Sequence, residues 1–293
     1  MDEGADGAVV VDMAYGGVNP VDRYGALGRV AAEGPLPRTL GTEGSGTVDG
    51  RAVLVRGHGL GTTRDGLWST HALVPADAVI DLPEGVDLAA AAAMGVAGVT
   101  AWRVVTEKAE VTGEDRVLVL GASGGVGSIA VSVASALGAA VWGQTSSESK
   151  ADWIAERGAE RVVVAEAASL AEAAADLHPT VVVDPLGDGF TGAALELLEP
   201  RGRLVIFGTS ADGHGDVPLQ TLYRKGLTLY GYAGLIEPDD VLAGHIREAL
   251  KALRDGGLQV TVDRALPLDQ VNDAFELLEQ HAVHGELLLD LRG

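Results

Sequence analysis

The chain has 293 residues, 47% of them apolar but only 4% aromatic, so its length accommodates about two domains with aliphatic cores. A net charge of −21 works against nucleic acid and anionic membrane surfaces, where affinity comes from Lys and Arg neutralising phosphates. Without a single cysteine there is no disulfide and no thiolate metal ligand.

No apolar run reaches the roughly 18 residues of a membrane span. The acidic start, with Asp2, Glu3 and Asp6, is unlike the basic start of a signal peptide. A soluble, cytoplasmic protein is expected. Glycines number 41, about twice their usual share of roughly 7%, and they fall between apolar segments, which signals many tight connections.

In chain order, short apolar pieces come first, at Ala8–Val11, Gly46–Val48, Ala52–Val55, Ala72–Val74 and Val79–Leu82. Gly, Pro and Asp punctuate them, the pattern of a compact all-β domain. The middle alternates. Strands are predicted at Arg116–Leu120, Ala140–Gln144, Arg161–Val164, Thr180–Asp184, Arg203–Phe207 and Leu227–Tyr230. Helices are predicted at Val126–Leu137, Lys150–Arg157, Leu170–Leu177 and Thr191–Leu198. Six strands separated by helices point to a doubly wound α/β domain, a parallel sheet covered on both faces. The tail offers a helix at Asp240–Arg254, a strand-like Gln259–Val262, a helix at Leu268–Gln280 and a strand at Glu286–Leu291. The tail is expected to rejoin the first domain, so that 1–98 and 235–293 form one domain and 99–234 the nucleotide domain inserted in it.

The most informative stretch joins the first two elements of that middle region. Val117–Leu120 runs into Gly121-Ala122-Ser123-Gly124-Gly125-Val126-Gly127 and then into a helical pattern. Glycines at 121, 124 and 127 permit a tight turn and bring backbone N–H groups to a pyrophosphate at a helix N-terminus, where the dipole favours anions. The bland alternative is a set of turn glycines. A sharper rival is G-x-S-x-G, the nucleophile elbow of an α/β-hydrolase, with Ser123 as nucleophile, Asp184 and a later His (214, 245, 281 or 284).

Several segments together resemble the medium-chain dehydrogenase/reductase superfamily, in its quinone oxidoreductase and acryloyl-CoA reductase-like branch. They are Gly17-Val18-Asn19-Pro20-Val21-Asp22, Leu40–Val48, Leu82–Val86, Ala97-Gly98-Val99-Thr100-Ala101-Trp102 and the 121–127 turn, in the family's order, with Val53–Gly61 as a further match. The resemblance implies a Rossmann domain inserted in a mostly-β GroES-like catalytic domain. It implies cofactor contacts from Thr100, Gly121, Ser123, Gly124, Gly125, Val126, Gly127 and Gly208. Zinc-dependent relatives carry a cysteine where Asn19 stands and a histidine where Thr42 stands, so a zinc-free enzyme is expected. Family members usually begin with roughly a hairpin's worth of further sequence and this chain starts near the strand that follows it, the segment between Val48 and Arg51 is short, and Gly285-Glu286 replaces a frequent Gly-Lys. A trimmed first domain with a more open cleft is the corresponding expectation.

Cofactor choice is read at the end of the second sheet strand, where an acid would bind the ribose diol of NAD. Thr145 stands there, followed by Ser146, Ser147 and Lys150, which suit the 2′-phosphate of NADPH better than NADH. Lys150 also matches a phosphate-contacting lysine of the quinone oxidoreductases. Glu148 opposes that preference, and Lys150 could simply begin a solvated helix.

Asn19 and Tyr24 are the catalytic candidates implied by the resemblance, each able to donate a hydrogen bond to an oxygen gaining negative charge. Their bland readings are a turn residue before Pro20 and a partly buried aromatic. Asp22 is expected to cap the following helix. The seven histidines show no metal spacing. His58 and His71 could touch a substrate but fit surface or packing roles better. The expected activity is NADPH-dependent hydride transfer to an enone, an enoyl thioester or a quinone, in a cleft between the domains. A non-catalytic dinucleotide-binding sensor or scaffold is the alternative. The substrate is a small molecule, and a homodimer through the edge at Leu227–Gly231 is the family's tendency.

Overall fold

A computed structural model describes residues 7–29 and 36–293; Asp2, Glu3 and Asp6 lie outside them. Along the chain run β1 (Ala8–Val18), α1 (Pro20–Ala26), β2 (Glu43–Val48), β3 (Arg51–Arg56), β4 (His71–Pro75), β5 (Val79–Asp81), α2 (Leu88–Ala92) and α3 (Val99–Arg103). Then come β6 (Arg116–Val119), α4 (Gly125–Ala136), β7 (Ala140–Thr145), α5 (Ala151–Ala155), β8 (Arg161–Val164), α6 (Ala167–Ala173), β9 (Val181–Asp184) and α7 (Asp188–Leu197). The remainder is β10 (Arg203–Ile206), α8 (Leu219–Lys225), β11 (Thr228–Gly231), α9 (Asp239–Asp255), β12 (Val262–Pro267), α10 (Val271–Glu279) and β13 (Glu286–Asp290).

Two compact units divide the chain. One comprises 1–99, 237–256 and 260–293; the other comprises 100–236 with 257–259. In the first, a sheet runs in the order β12-β13-β1-β2-β3-β5, with β4 also paired to β1. Its core is aliphatic, with Val11, Val53, Val55, Leu67, Leu287 and Leu289 buried, and Trp68 meets Phe275 at 5.8 Å between ring centroids. Asp49 and Gly50, both at positive φ, make the two-residue hairpin between β2 and β3, which explains why this segment is so short.

The second unit is a parallel sheet in the order β11-β10-β9-β6-β7-β8. That order reverses beside β6, as in a doubly wound fold. Buried β-branched residues fill it, among them Val117, Val119, Val181 and Val183. Asp115 fastens the start of this sheet: it accepts hydrogen bonds from the Thr112 amide (2.9 Å), the Thr180 hydroxyl (2.7 Å) and Arg203 Nη2 (2.7 Å).

Some boundaries depart from the sequence reading. Glycines 16, 17, 44 and 46 lie inside β1 and β2, which extends both strands beyond the apolar pieces. A Cβ on Gly46 would overlap the Asp12 carbonyl, so close strand approach requires these glycines. The first hundred residues hold helices as well as strands, and five of the seven strands of their sheet, the other two coming from the tail, so they are not an all-β domain alone. Beyond Gln259, the strand is β12, starting at Val262. The helix placed at Leu170–Leu177 is α6 plus one 3₁₀ turn at Ala175–Leu177, and α8 has no counterpart in the reading.

Candidate cofactor and substrate sites

The β6–α4 turn is shaped by its glycines in three different ways. Gly121 sits at φ 59°, a left-handed conformation that other residues adopt at a cost. A Cβ on Gly127 would overlap the Gly121 carbonyl, so only glycine lets α4 close onto the strand end. Gly124 is different. It has ordinary φ (−78°), is exposed, and a Cβ there would meet only the Gly121 oxygen, at 3.5 Å. Nothing in the fold demands glycine at 124; a ligand lying against the backbone would.

The first hydrogen bond of α4 runs from the Ser128 amide to the Gly124 carbonyl, at 2.9 Å. The amides of Gly125, Val126 and Gly127 therefore have no partner within the helix, the arrangement by which helix N-termini bind anions in general. Gln144, buried in β7, fixes this turn. Its Oε1 accepts from the Gly121 amide (2.9 Å) and its Nε2 donates to the Ala165 carbonyl (2.7 Å). Sequence reading did not single it out, although a glutamine inside an otherwise apolar strand was the available signal.

Thr145 ends β7, buried, with its Oγ1 accepting from the Ser147 amide (3.2 Å). Ser146 is exposed, and Lys150 is half-buried in a 3₁₀ turn before α5. Gly208 follows β10, where a Cβ would press on the Pro185 carbonyl at 3.0 Å. The 121–127 turn, Thr145–Lys150 and Gly208 thus share the carboxyl edge of one parallel sheet. Thr100 stands apart in α3, half-buried. Ser123 is buried in the turn.

Asp184, the acid a hydrolase would need, is spent locally. Its Oδ1 accepts from the Leu186 and Gly187 amides (2.8 and 3.2 Å) and its Oδ2 from the Thr191 hydroxyl (2.7 Å). Burial raises its pKa against those bonds. His214 instead pairs with Asp212 at the surface.

In the first unit, Asn19 lies between β1 and α1 and is buried. Its Nδ2 donates to Glu43 Oε1 at 2.6 Å, and Glu43 Oε2 accepts from the Val96 amide at 2.8 Å. Asp22 does reach back to the helix start: its carboxylate accepts from the Asn19 amide (2.9 Å) and also from the Thr42 amide (2.9 Å), which ties α1 to the approach of β2. Arg56 donates to the Gly95 and Thr42 carbonyls, both at 3.1 Å. The Arg56 guanidinium acts on both Asp22 and Glu43, and a third buried carboxyl, Glu286, lies beside Glu43.

Burial pushes Glu43 up to about 7, opposed by Asn19, Arg56 and the Val96 amide and reinforced by Asp22. It pushes Asp22 to about 6, opposed by the Asn19 and Thr42 bonds and Arg56. Burial and then Glu43 hold Glu286 well above the usual carboxyl range. Tyr24 is on α1, half-buried. Positions 19 and 42 carry an amide and a hydroxyl, neither of them a thiolate or imidazole, so this donor set does not fit a catalytic zinc. His58 is tied to Asp77 (3.5 Å) and Asp239 (3.4 Å), and His71 is exposed beside Asp12.

Comparison with known proteins agrees with this architecture. The family described as "Zinc-binding dehydrogenase" matches residues 125–251. The "Quinone oxidoreductase" of Pseudomonas aeruginosa is 30% identical over 281 residues, 92% of this chain and 84% of that protein. The chain belongs to the medium-chain dehydrogenase/reductase family. Within it, the quinone oxidoreductase-like branch is its place, and oxidoreductase its class. A "Mycocerosic acid synthase-like polyketide synthase" of Mycolicibacterium smegmatis is 29% identical over 300 residues, covering 97% of this chain but 14% of that protein. A solved mycobacterial structure, described as complexed with NADPH, superposes with a TM-score of 0.86 at 24% identity, over 99% of this chain and 94% of that one. It supports the Rossmann-type α/β fold. Membership of this family also removes the hydrolase alternative. Among the described residues no helix is long and apolar enough to cross a membrane.

Proposed function

We propose that this family member is an NADPH-dependent, zinc-free reductase of an activated double bond (an enone or an enoyl thioester) or of a quinone. The observation that supports it most is Gly124, a glycine the fold does not require, placed before unpaired helix amides. A nicotinamide cofactor, when bound, supplies the hydride. The amides of residues 125–127 and the positive end of α4 hold its pyrophosphate. Thr145, Ser146 and Lys150, with no carboxylate at position 145, favour the 2′-phosphate. Ser123, Thr100 and Gly208 belong to the same binding role. Asn19 Nδ2 and the Tyr24 hydroxyl donate to the substrate oxygen as negative charge builds on it. Delivering hydride to a conjugated carbon or a quinone needs no Lewis acid, which suits the amide and hydroxyl at positions 19 and 42.

Domains at 1–98 with 235–293 and at 99–234 remain the functional division we propose, one for substrate and one for cofactor. The protein is proposed to be cytoplasmic and to work as a homodimer. The test is oxidation of NADPH and of NADH with a panel of enones, quinones and enoyl thioesters, alongside fluorescence titration of each cofactor. Turnover with at least one acceptor, faster with NADPH, is the expected result. Binding without turnover would favour the sensor or scaffold, and no binding of either cofactor would end the reading.

A further inference from the structure

The buried carboxyls of the first unit are not used by any step above, yet they surround one of its two catalytic candidates. The strand register explains how. Val18 of β1 faces Leu287 of β13, so Glu286 comes opposite Asn19 as β1 ends. On the other side of β1, Gly16 faces Gly44, which brings Glu43 beside Gly17. The end of β1 therefore lies between the two carboxyls, Glu286 opposite Asn19 and Glu43 opposite Gly17 two residues before it.

We propose that Glu43 is a positioning residue for Asn19, its carboxylate holding one amide hydrogen so that the other is presented to the substrate oxygen. This rests on the catalytic reading of Asn19 given above. An ionised carboxylate is acceptor-only, so it admits the nitrogen end of the Asn19 amide and excludes the oxygen end. The charge-assisted bond, 2.6 Å long, fixes that orientation and polarises the remaining N–H. Once protonated, Glu43 can donate to Asn19 Oδ1, and the amide is free to turn over.

The carboxylate is held at both oxygens, in room that glycines at 17 and 95 leave for it. The Val96 amide holds Oε2, a Cβ on Gly17 would overlap Oε1, and a Cβ on Gly95 would lie 3.0 Å from Oε2. Among the described residues, the charged groups facing it are Asp22 from α1, Arg56 from β3 and Glu286 from β13. Glu286 is fully buried and, among the described residues, its Oε1 has no hydrogen-bond partner. Burial, and after it the neighbouring Glu43 carboxyl, favour its protonated form.

The experiment measures kcat/KM for an uncharged enone with NADPH across the neutral range. The native protein should gain activity as pH rises, with a midpoint near that of Glu43, about 7. Glu43→Gln offers one acceptor where two N–H donors converge; it should lower kcat ten- to a hundredfold, flatten the profile and leave the NADPH dissociation constant within about twofold. Glu286→Lys puts a cation beside Glu43 and should move the midpoint down by a full pH unit or more. Glu286→Gln serves as the control of size. If Glu43→Gln does not fold, the Glu286 pair alone decides. A native-like profile in Glu43→Gln, or an unmoved midpoint in Glu286→Lys, overturns the proposal while leaving the reductase reading intact. Absence of turnover in the native protein overturns both.

Discussion

At the scale of single residues, the glycine-rich turn separates what the fold needs from what a ligand needs. Gly127→Ala puts a methyl into the Gly121 carbonyl and should destabilise the protein by about 1–3 kcal/mol, seen as a lower unfolding midpoint. Gly124→Ala meets no such obstacle, so the unfolding midpoint should stay while NADPH affinity falls tenfold or more. Equal effects of both substitutions on stability would mean that Gly124 is a structural glycine after all. Lys150→Ala should weaken NADPH about tenfold and NADH little, because a charge-assisted hydrogen bond contributes roughly 1.5–3 kcal/mol and only the phosphorylated cofactor offers one. Titrating both cofactors against the variant checks this. The turn was legible because its residues are contiguous. Glu43, Arg56 and Glu286 were not, because only the pairing of β1 with β2 and β13, and of β2 with β3, brings these charges together.

At the scale of elements, the alternating middle of the chain was readable because each parallel strand is buried on both faces and so appears as a short β-branched run. The six strands and most helices lie within a few residues of their expected bounds. The glycine-bearing strands β1 and β2 were shortened in the reading, since glycine lowers strand propensity and its packing reason is visible only in three dimensions. α8 was missed for a related reason: of its residues Leu219 and Tyr223 are exposed, so it shows no buried face. Gln144 shows how an element holds a site. It joins the turn after β6 to Ala165, which follows β8, across the intervening β7. Gln144→Leu leaves the Gly121 amide and the Ala165 carbonyl without partners, at about 1–3 kcal/mol each when buried. Lower thermal stability together with at least a fivefold rise in the NADPH dissociation constant is expected. Lower stability with unchanged affinity would make Gln144 a fold residue only.

At the scale of the whole molecule, two properties follow from what is left uncovered or buried. β11 ends the parallel sheet, with no strand beyond it among the described residues, and Leu229 and Tyr230 on it are exposed. Such an edge invites pairing with a second copy. Light scattering should give a dimer, and Leu229→Asp should give a folded monomer. The buried carboxyls govern the pH dependence of stability. Asp22 and Glu43 have folded-state pKa values raised above their ordinary values of 3.8 and 4.5, to about 6 and about 7. A raised carboxyl means that the folded state holds its proton more tightly than the unfolded chain. The stability it contributes is whole below the ordinary value and is lost as pH climbs through the raised one. For Glu43 the window is about 4.5 to 7, and the loss is roughly 3 kcal/mol. Asp115 acts in the opposite sense. Burial raises its pKa, but the Thr180 hydroxyl, the Thr112 bonds and Arg203 together lower it, so its contribution disappears only in acid. The two trends place maximum stability well on the acid side of neutrality, at about pH 4, below the window in which Glu43 gives up its proton. Thermal unfolding followed from pH 4 to 8 should show the midpoint falling above that maximum, and Glu43→Gln should remove much of the fall. A midpoint that stays level or rises between pH 5 and 8 would contradict this account. The same ionisation that orders Asn19 for catalysis is thus the one that loosens the fold, so activity and stability should run in opposite directions as the pH passes 7.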